Sequence, residues 1–342
     1  MRRLTPTNLL IVLACCLPVV MLLTLFVGTM PLSLDDAWQA FSGNEAYARQ
    51  HLILTQIRLP RILLATGTGC VLAICGAATQ GLFRNPLADP SLIGVSAGAS
   101  AGASFVIVFV SGWLTMSGWM GLSLIAVGAF IGGAIAVMLV YRLASSVRGT
   151  SVATMLLAGI AITAVAGALN SLFSFLADND MLRRISLWQM GSLDSADWPR
   201  VIMMSCAAAL ICTQMPRYAT ALNAILLGES EARHLGVDVE NVKQKLIIYT
   251  AIGVGVSVAT SGMIAFVGLV VPHIVRLLIG PDHRALLPAS ALAGAILMLV
   301  ADAVARVVIA PAELPAGILT ALVGAPFFFA LLLSQRADGM RY

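Results

Sequence analysis

The chain has 342 residues, 59% of them hydrophobic and only 11% charged, with a formal net charge of +4. Soluble domains carry about half apolar and a quarter charged residues, so a soluble fold is excluded. Apolar runs of roughly 20 residues, each long enough to cross the hydrocarbon core, indicate an all-α polytopic membrane protein, and the lack of short alternating segments excludes a β-barrel.

The first span is predicted at 8–28. Cys15 follows Leu13-Ala14 in the manner of a lipoprotein cleavage site, but the apolar run continues to Gly28, so a retained span is the better reading. Further spans are predicted at 60–82, 91–110, 119–142, 152–176, 198–216, 246–262, 264–279, 286–304 and 315–334. That gives about ten transmembrane helices, with both termini on one side. With the N-terminus inside, thirteen Lys and Arg fall on the cytoplasmic side, among them Arg2, Arg3, Arg148, Arg336 and Arg341, and seven fall outside. This matches the positive-inside bias. The longest polar segments, 29–58, 177–199 and 217–245, are too short to bury a core of their own, so residues 1–342 form a single transmembrane domain.

The chain repeats itself at a shift of 186 residues. Gly67, Gly69, Gly76 and Pro86 fall on Gly253, Gly255, Gly262 and Pro272, and Leu92-Ile93-Gly94 falls on Leu278-Ile279-Gly280. In the predicted topology the two copies run in opposite directions. Such an inverted internal repeat is a transporter design, with the pathway at the repeat interface. The glycines allow close helix approach, and the two prolines are expected to mark helix breaks.

Several chemistries are missing. The only lysines are Lys243 and Lys245, and neither follows a glycine, so no Walker A loop exists and the chain has no P-loop ATPase of its own. The six cysteines lie in apolar runs without a CxxC pair, and no HExxH motif or metal cluster is seen. Catalytic, cofactor and metal residues are therefore expected to be none. An ion-coupled transporter would need ionisable groups at membrane depth. Asp302 and Arg306, four apart, suit a local ion pair. Glu313 suits the start of the last helix, and His273 suits a packed, hydrogen-bonded histidine.

The densest charge in the chain lies at 226–245, LLGESEARHLGVDVENVKQK, with seven charged residues in twenty. Glu229 to Leu235 reads as a short helix stopped by Gly236, and Asp238 as the cap of a second short helix running to Lys245. Leu226, Leu235, Val237, Val239, Val242 and Leu246 form the apolar side. Glu229, Glu231, Arg233, Asp238, Glu240 and Lys243 form the exposed polar side. A transporter without a P-loop needs a cytoplasmic partner, and this pair of helices is the candidate place for it to dock.

These residues carry a resemblance. Leu227-Gly228-Glu229-x-x-Ala232-Arg233-x-Leu235-Gly236 resembles the coupling segment of the FecCD-like permeases, the importers of iron complexes and vitamin B12 powered by ATP-binding-cassette (ABC) subunits. Arg58-Leu59-Pro60-Arg61, Asn85-Pro86-Leu87-Ala88-Asp89-Pro90, Gly268-Leu269-Val270-Val271-Pro272-His273-x-x-Arg276, Asp282-His283-Arg284 and Ala312-Glu313-Leu314-Pro315 resemble the family's other motifs in order, from about 55 to 330.

The resemblance implies a type II ABC importer permease fold of ten spans in a bacterial inner membrane, with both termini cytoplasmic. It implies a second copy as dimer partner and two cytoplasmic ATPase subunits that carry ATP and Mg, docked on Glu229, Glu231, Arg233, Leu235 and Gly236 within coupling helices at 226–245. It implies a periplasmic binding protein docking on Arg58, Arg61 and Arg306. The fifth span, with Gly159, Gly167, Asn170, Ser171 and Ser174, would line the pathway, and Gly149, Thr150, Ser151 and Thr154 match the gate loop by position. The wording around the motifs is most like haem permeases, with a ferric siderophore or cobalamin as alternative cargo. An ion-coupled secondary transporter using Asp302, Glu313 or His273 is the remote rival.

Overall fold

The computed structural model describes residues 5–28, 30, 32–42, 45–110, 119–146 and 149–339, the side chains of 119–123, 332 and 334–339 excepted. Arg2, Arg3, Arg148 and Arg341, and the side chain of Arg336, lie outside the described residues. The chain is almost wholly helical: α1 (Pro6–Phe26), α2 (Leu34–Phe41), α3 (Ala48–Leu82), α4 (Val95–Val110), α5 (Trp119–Ala144), α6 (Val152–Leu176), α7 (Asn179–Gln189), α8 (Trp198–Gln214), α9 (Ala219–Leu227), α10 (Glu229–His234), α11 (Val239–Ser261), α12 (Val267–Ile279), α13 (His283–Ala305) and α14 (Ala316–Gly339). A two-residue hairpin, β1 (Ser145–Ser146) with β2 (Gly149–Thr150), joins α5 to α6.

A helix occupies each of the ten predicted spans. Among the described residues, α1, α3, Leu124–Ala144 of α5, α6, α11 and α13 are long and apolar enough to cross a membrane, whereas Val95–Val110, Val267–Ile279 and Ala316–Leu331 are shorter. Two short helices arise in segments expected to be merely polar. Ser33 and Asp36 form a reciprocal capping box that starts α2, and Asp178 accepts the Met181 N–H at 2.8 Å to start α7.

Helix α3 is the central post and packs most extensively on α13. A Cβ on Gly69 would stand 2.2 Å from the Gly294 carbonyl oxygen, so the two backbones touch there. Helices α4 and α5 meet the same way: a Cβ on Gly102 would lie 2.1 Å from Gly128 O, and one on Gly132 2.3 Å from Gly98 O. Each helix presents two glycines four residues apart, the small-residue packing that holds helices together in lipid.

Pro86 lies in the turn after α3, as expected of a helix break, but Pro272 does not break its helix: α12 runs through it. A proline frees the carbonyl four residues earlier, here that of Gly268. The buried Gln80 amide of α3 reaches that spot, with Nε2 3.5 Å from Gly268 O and 3.1 Å from Leu269 O. A neighbouring helix supplies the partner that Pro272 removes.

Arg58 and Arg61 of α3 and the C-terminal ends of α1 and α13 are joined by a charge cluster. Arg61 Nε binds Asp302 Oδ1 at 2.8 Å and its Nη1 binds Glu313 Oε2 at 2.5 Å. Arg306 Nε lies 3.2 Å from Asp302 Oδ2, the ion pair expected from the four-residue spacing. Arg306 also donates to Thr24 O and Val27 O, and Arg58 to Leu25 O and Met30 O. The two arginines thus satisfy carbonyls left open at the end of α1. Glu313 is engaged by Arg61 as well as standing ahead of α14.

Removing one partner of a buried pair strands the other charge at a cost of about 3–5 kcal/mol. Arg61→Ala is therefore expected to lower the thermal unfolding temperature of the purified protein sharply, and Arg61→Ala with Asp302→Ala to recover part of the loss. A single variant that melts with the wild type would show the cluster to be marginal.

Candidate functional site

The charged segment at 226–245 folds into the junction of α9, α10 and α11. Gly228 (φ +135°) ends α9. Helix α10 ends in a Schellman closure: Gly236, at φ +82°, donates to Arg233 O at 2.9 Å, and Val237 donates to Ala232 O at 3.0 Å. Asp238 accepts the Asn241 N–H at 3.1 Å and starts α11. The second helix is not short, as expected from sequence, but continues without interruption into the predicted span at 246–262, because Val239, Val242, Leu246 and Ile247 form one buried stripe.

The predicted apolar and polar sides are partly exchanged. Leu226 and Leu235, expected inside, are exposed, as is Leu227; Leu227 and Leu235 are 70% and 65% accessible. They stand among the exposed Glu231, Arg233 and Gly236. Apolar side chains at the centre of a polar rim are the make-up of a protein-binding patch.

Lys243, expected on the exposed side, is 2% accessible. Its ammonium donates to Glu229 Oε2 at 2.7 Å, to Glu240 Oε1 at 3.3 Å and to the Thr150 carbonyl at 2.8 Å. Three partners for three N–H donors make burial of the charge tolerable. Glu229 is therefore turned partly inward. Arg233 flanks both carboxylates, at 3.9 Å from Glu229 and 3.8 Å from Glu240, but is half exposed and adds little.

The residues expected to form a gate loop meet this cluster. Thr150 N–H donates to Glu240 Oε2 at 2.8 Å, so both polar groups of Thr150's main chain are held by α11. Gly149 adopts φ +107°, and a Cβ there would come within 2.7 Å of Glu240 Oε1, so glycine serves both conformation and space. Ser151 caps α6 through the Thr154 N–H, and Thr154 Oγ1 donates to Ser151 Oγ at 3.0 Å. A cleft of about 520 Å³ lies between the hairpin and the start of α11, with Tyr141, Arg233 and Asp238 in its walls.

The sequence reading missed Lys243 and Glu240 as a link to the hairpin, although a signal was present. Lys243 occupies a core position in the 239, 242, 243, 246 stripe, where a charge demands partners.

Nearby, Asn223 explains the Asp282-His283-Arg284 motif. It donates to Asp282 Oδ1 at 2.6 Å and accepts the His283 N–H at 2.9 Å. With the Arg284 N–H, it holds the Asp282 carboxyl below the usual carboxylate range.

The residues expected to line a pathway divide. Gly159 is buried, and a Cβ there would stand 1.9 Å from Leu92 O, so it serves packing against the turn before α4. Asn170 Nδ2 donates to Ser100 Oγ at 2.6 Å, towards α4. Gly167, Ser171 and Ser174 share one face of α6 by their spacing, with Gly167 and Ser171 exposed. Arg58, Arg61 and Arg306 gather at one end of the bundle, but each is buried in the cluster described above. His273 is buried edge-on against Phe327; its ring nitrogens find no hydrogen-bond partner among the described residues, contrary to expectation.

Comparison with known proteins accords with this architecture. The model of the FecCD transport family matches residues 16–334. The hemin transport system permease HmuU of Yersinia pestis is 44% identical over 310 residues, covering 91% of this chain and 90% of that one. The cobalamin import system permease BtuC of Halobacterium salinarum is 42% identical over 289 residues (84% and 75%). The vitamin B12 import system permease BtuC of Salmonella paratyphi A is 41% identical over 319 residues (92% and 93%). A solved structure assigned to a metal-chelate type ABC transporter, in an inward-facing conformation, superposes with a TM-score of 0.83 at 32% identity, covering 96% of this chain and 99% of that one. The chain is a multi-pass membrane protein and belongs to the FecCD transport family.

Proposed function

We propose that the chain is the permease subunit of an ATP-driven importer that carries haem from periplasm to cytoplasm, working as a homodimer with both termini cytoplasmic. The observation that carries the ATP-driven reading is the patch at 226–236. It exposes Leu227 and Leu235 within a polar rim on a chain that has no P-loop. Two ATPase subunits, holding ATP and Mg, dock there through Glu231, Arg233, Leu235 and Gly236, with Glu229 at the inner edge. Their closure moves the 149–154 gate.

The haem reading rests on the similarity to a hemin permease and on α6. Its exposed residues are Gly, Ala, Ser, Thr, aliphatic residues and Phe175, without charge, which suits a flat, largely apolar cargo that must not be gripped. The vitamin B12 relatives at nearly the same identity favour a corrinoid as the second reading.

The test is uptake into proteoliposomes holding this chain and its ATPase, with the binding protein outside. Haem uptake that requires both ATP and binding protein is expected; cobalamin uptake in its place would move the cargo to the second reading. Leu235→Asp is expected to weaken ATPase association by tenfold or more, roughly the loss of one buried anchor. Co-purification at wild-type stoichiometry and affinity would remove the patch from the interface.

At the outer end, Arg61 and Arg306 pair with Asp302 and Glu313, while Arg58 binds the carbonyls of Leu25 and Met30, leaving a surplus positive charge. We infer that an acidic group of the periplasmic binding protein answers it. Arg58→Glu is expected to lower the affinity of that partner, and raising salt from 50 to 500 mM should weaken wild-type binding more than the variant's. Equal affinity and equal salt dependence would leave Arg58 as a clamp on α1 alone.

A further inference from the structure

We propose that Lys243 is the joint through which displacement of the docking segment reaches the 145–150 hairpin. The inference rests on the ATP-driven reading above and names the positioning residue within it. Its ground is the convergence of three separate elements on one buried ammonium. Glu229 belongs to α10, Thr150 to the hairpin 93 residues away, and Glu240 to the first turn of α11.

Three features make this more than a packing contact. First, Lys243 is 2% accessible and all three of its N–H donors are used, so losing any partner leaves charge exposed to a poor solvent. A change at one of its bonds is therefore felt at the other two. Second, the hairpin is held by its main chain: Glu240 takes the Thr150 N–H at 2.8 Å and Lys243 takes the Thr150 carbonyl at 2.8 Å. The side-chain hydroxyl of Thr150 is left to its hairpin partner Ser145, at 3.2 Å. The peptide is pinned from both ends to the charge cluster, independently of side-chain identity. Third, α10 is bracketed by two positive-φ glycines, Gly228 and Gly236. It can rotate as a short rigid unit on these pivots, carrying Glu229 with it. Lys243 must then follow Glu229, or lose it and shift its weight onto Glu240 and Thr150. In either case the position of α10 is read at the hairpin. Arg233, half exposed and nearly 4 Å from both carboxylates, cannot substitute for this link.

The test uses the complete transporter in nanodiscs, with hydrogen exchange followed at 229–238 and at 145–151, with and without ATP. In the wild type both segments are expected to respond to ATP. In Lys243→Met, 229–238 should still respond and 145–151 should not. Haem uptake per ATP hydrolysed should fall about tenfold, the scale of a coupling free energy, and Lys243→Arg should restore most of it. A merely structural role would lower uptake and hydrolysis together and leave their ratio unchanged. A Lys243→Met transporter whose hairpin still responds overturns the inference.

If that variant does not assemble, Glu240→Gln, which keeps shape and removes a charge, should weaken the hairpin response in the same direction. A full response in Glu240→Gln likewise overturns it. If ATP moves neither segment in the wild type, the ATP-driven reading fails and this inference with it. If ATP moves both segments in wild type and variants alike, only the role of Lys243 fails.

Discussion

Hydrocarbon offers no hydrogen-bond partner, and every polar group placed in it must be satisfied by the protein itself. That constraint organises this molecule from end to end. It makes the chain helical. It also dictates how irregularities are handled: the carbonyl released by Pro272 is met by Gln80 from the next helix, and the last carbonyls of α1 are met by Arg58 and Arg306. Two sets of buried charges are grouped with their partners at the two ends of the bundle, Arg61 with Asp302 and Glu313 at one, and Lys243 with Glu229 and Glu240 at the other.

Between these polar ends, association rests on contact. Lipid tails are as apolar as leucine, so burying leucine gains little, and close backbone approach takes over. The glycine pairs of α3 with α13 and of α4 with α5 provide it. The least buried of the long helices, α1 and α6, lack such continuous seams and present large aliphatic faces outward. The resulting division is between a rigid interior around α3 and a helix, α6, with an open face and a hairpin at its foot. A transport pathway needs that combination: a fixed frame and one wall whose end can be repositioned.

The ten helical segments were legible because each is a long apolar run, and run length is a local property. The charged segment at 226–245 was legible because its charge contrasts with everything around it. What escaped the sequence is non-local. The run Val239 to Leu246 places Lys243 on the buried stripe but does not name its partner, Thr150, which lies on a hairpin in another part of the chain. Arg61, read as a docking group, is nearly buried because Asp302 lies against it. The short helices α2 and α7 were hidden in polar segments because their starts depend on single capping side chains, Ser33 and Asp178. Gly159 read as pathway and Pro272 as a break for the same reason: residue type alone does not say which neighbour it serves.

The outer charge cluster also bears on how the protein is made. Arg61 and Asp302 are 241 residues apart. At ribosomal rates of about 5–20 residues per second, Arg61 enters the membrane roughly 12 to 48 s before its partner is synthesised. Throughout that interval the guanidinium lacks its carboxylate partners, and α1 lacks the clamp that Arg306 supplies. Assembly of the central post is therefore completed late, when α13 arrives carrying Asp302 and Arg306 together. A nascent chain truncated before that point would hold most of its helices and none of the charge closure that locks them, a state that quality-control proteases could recognise by its unpaired arginines.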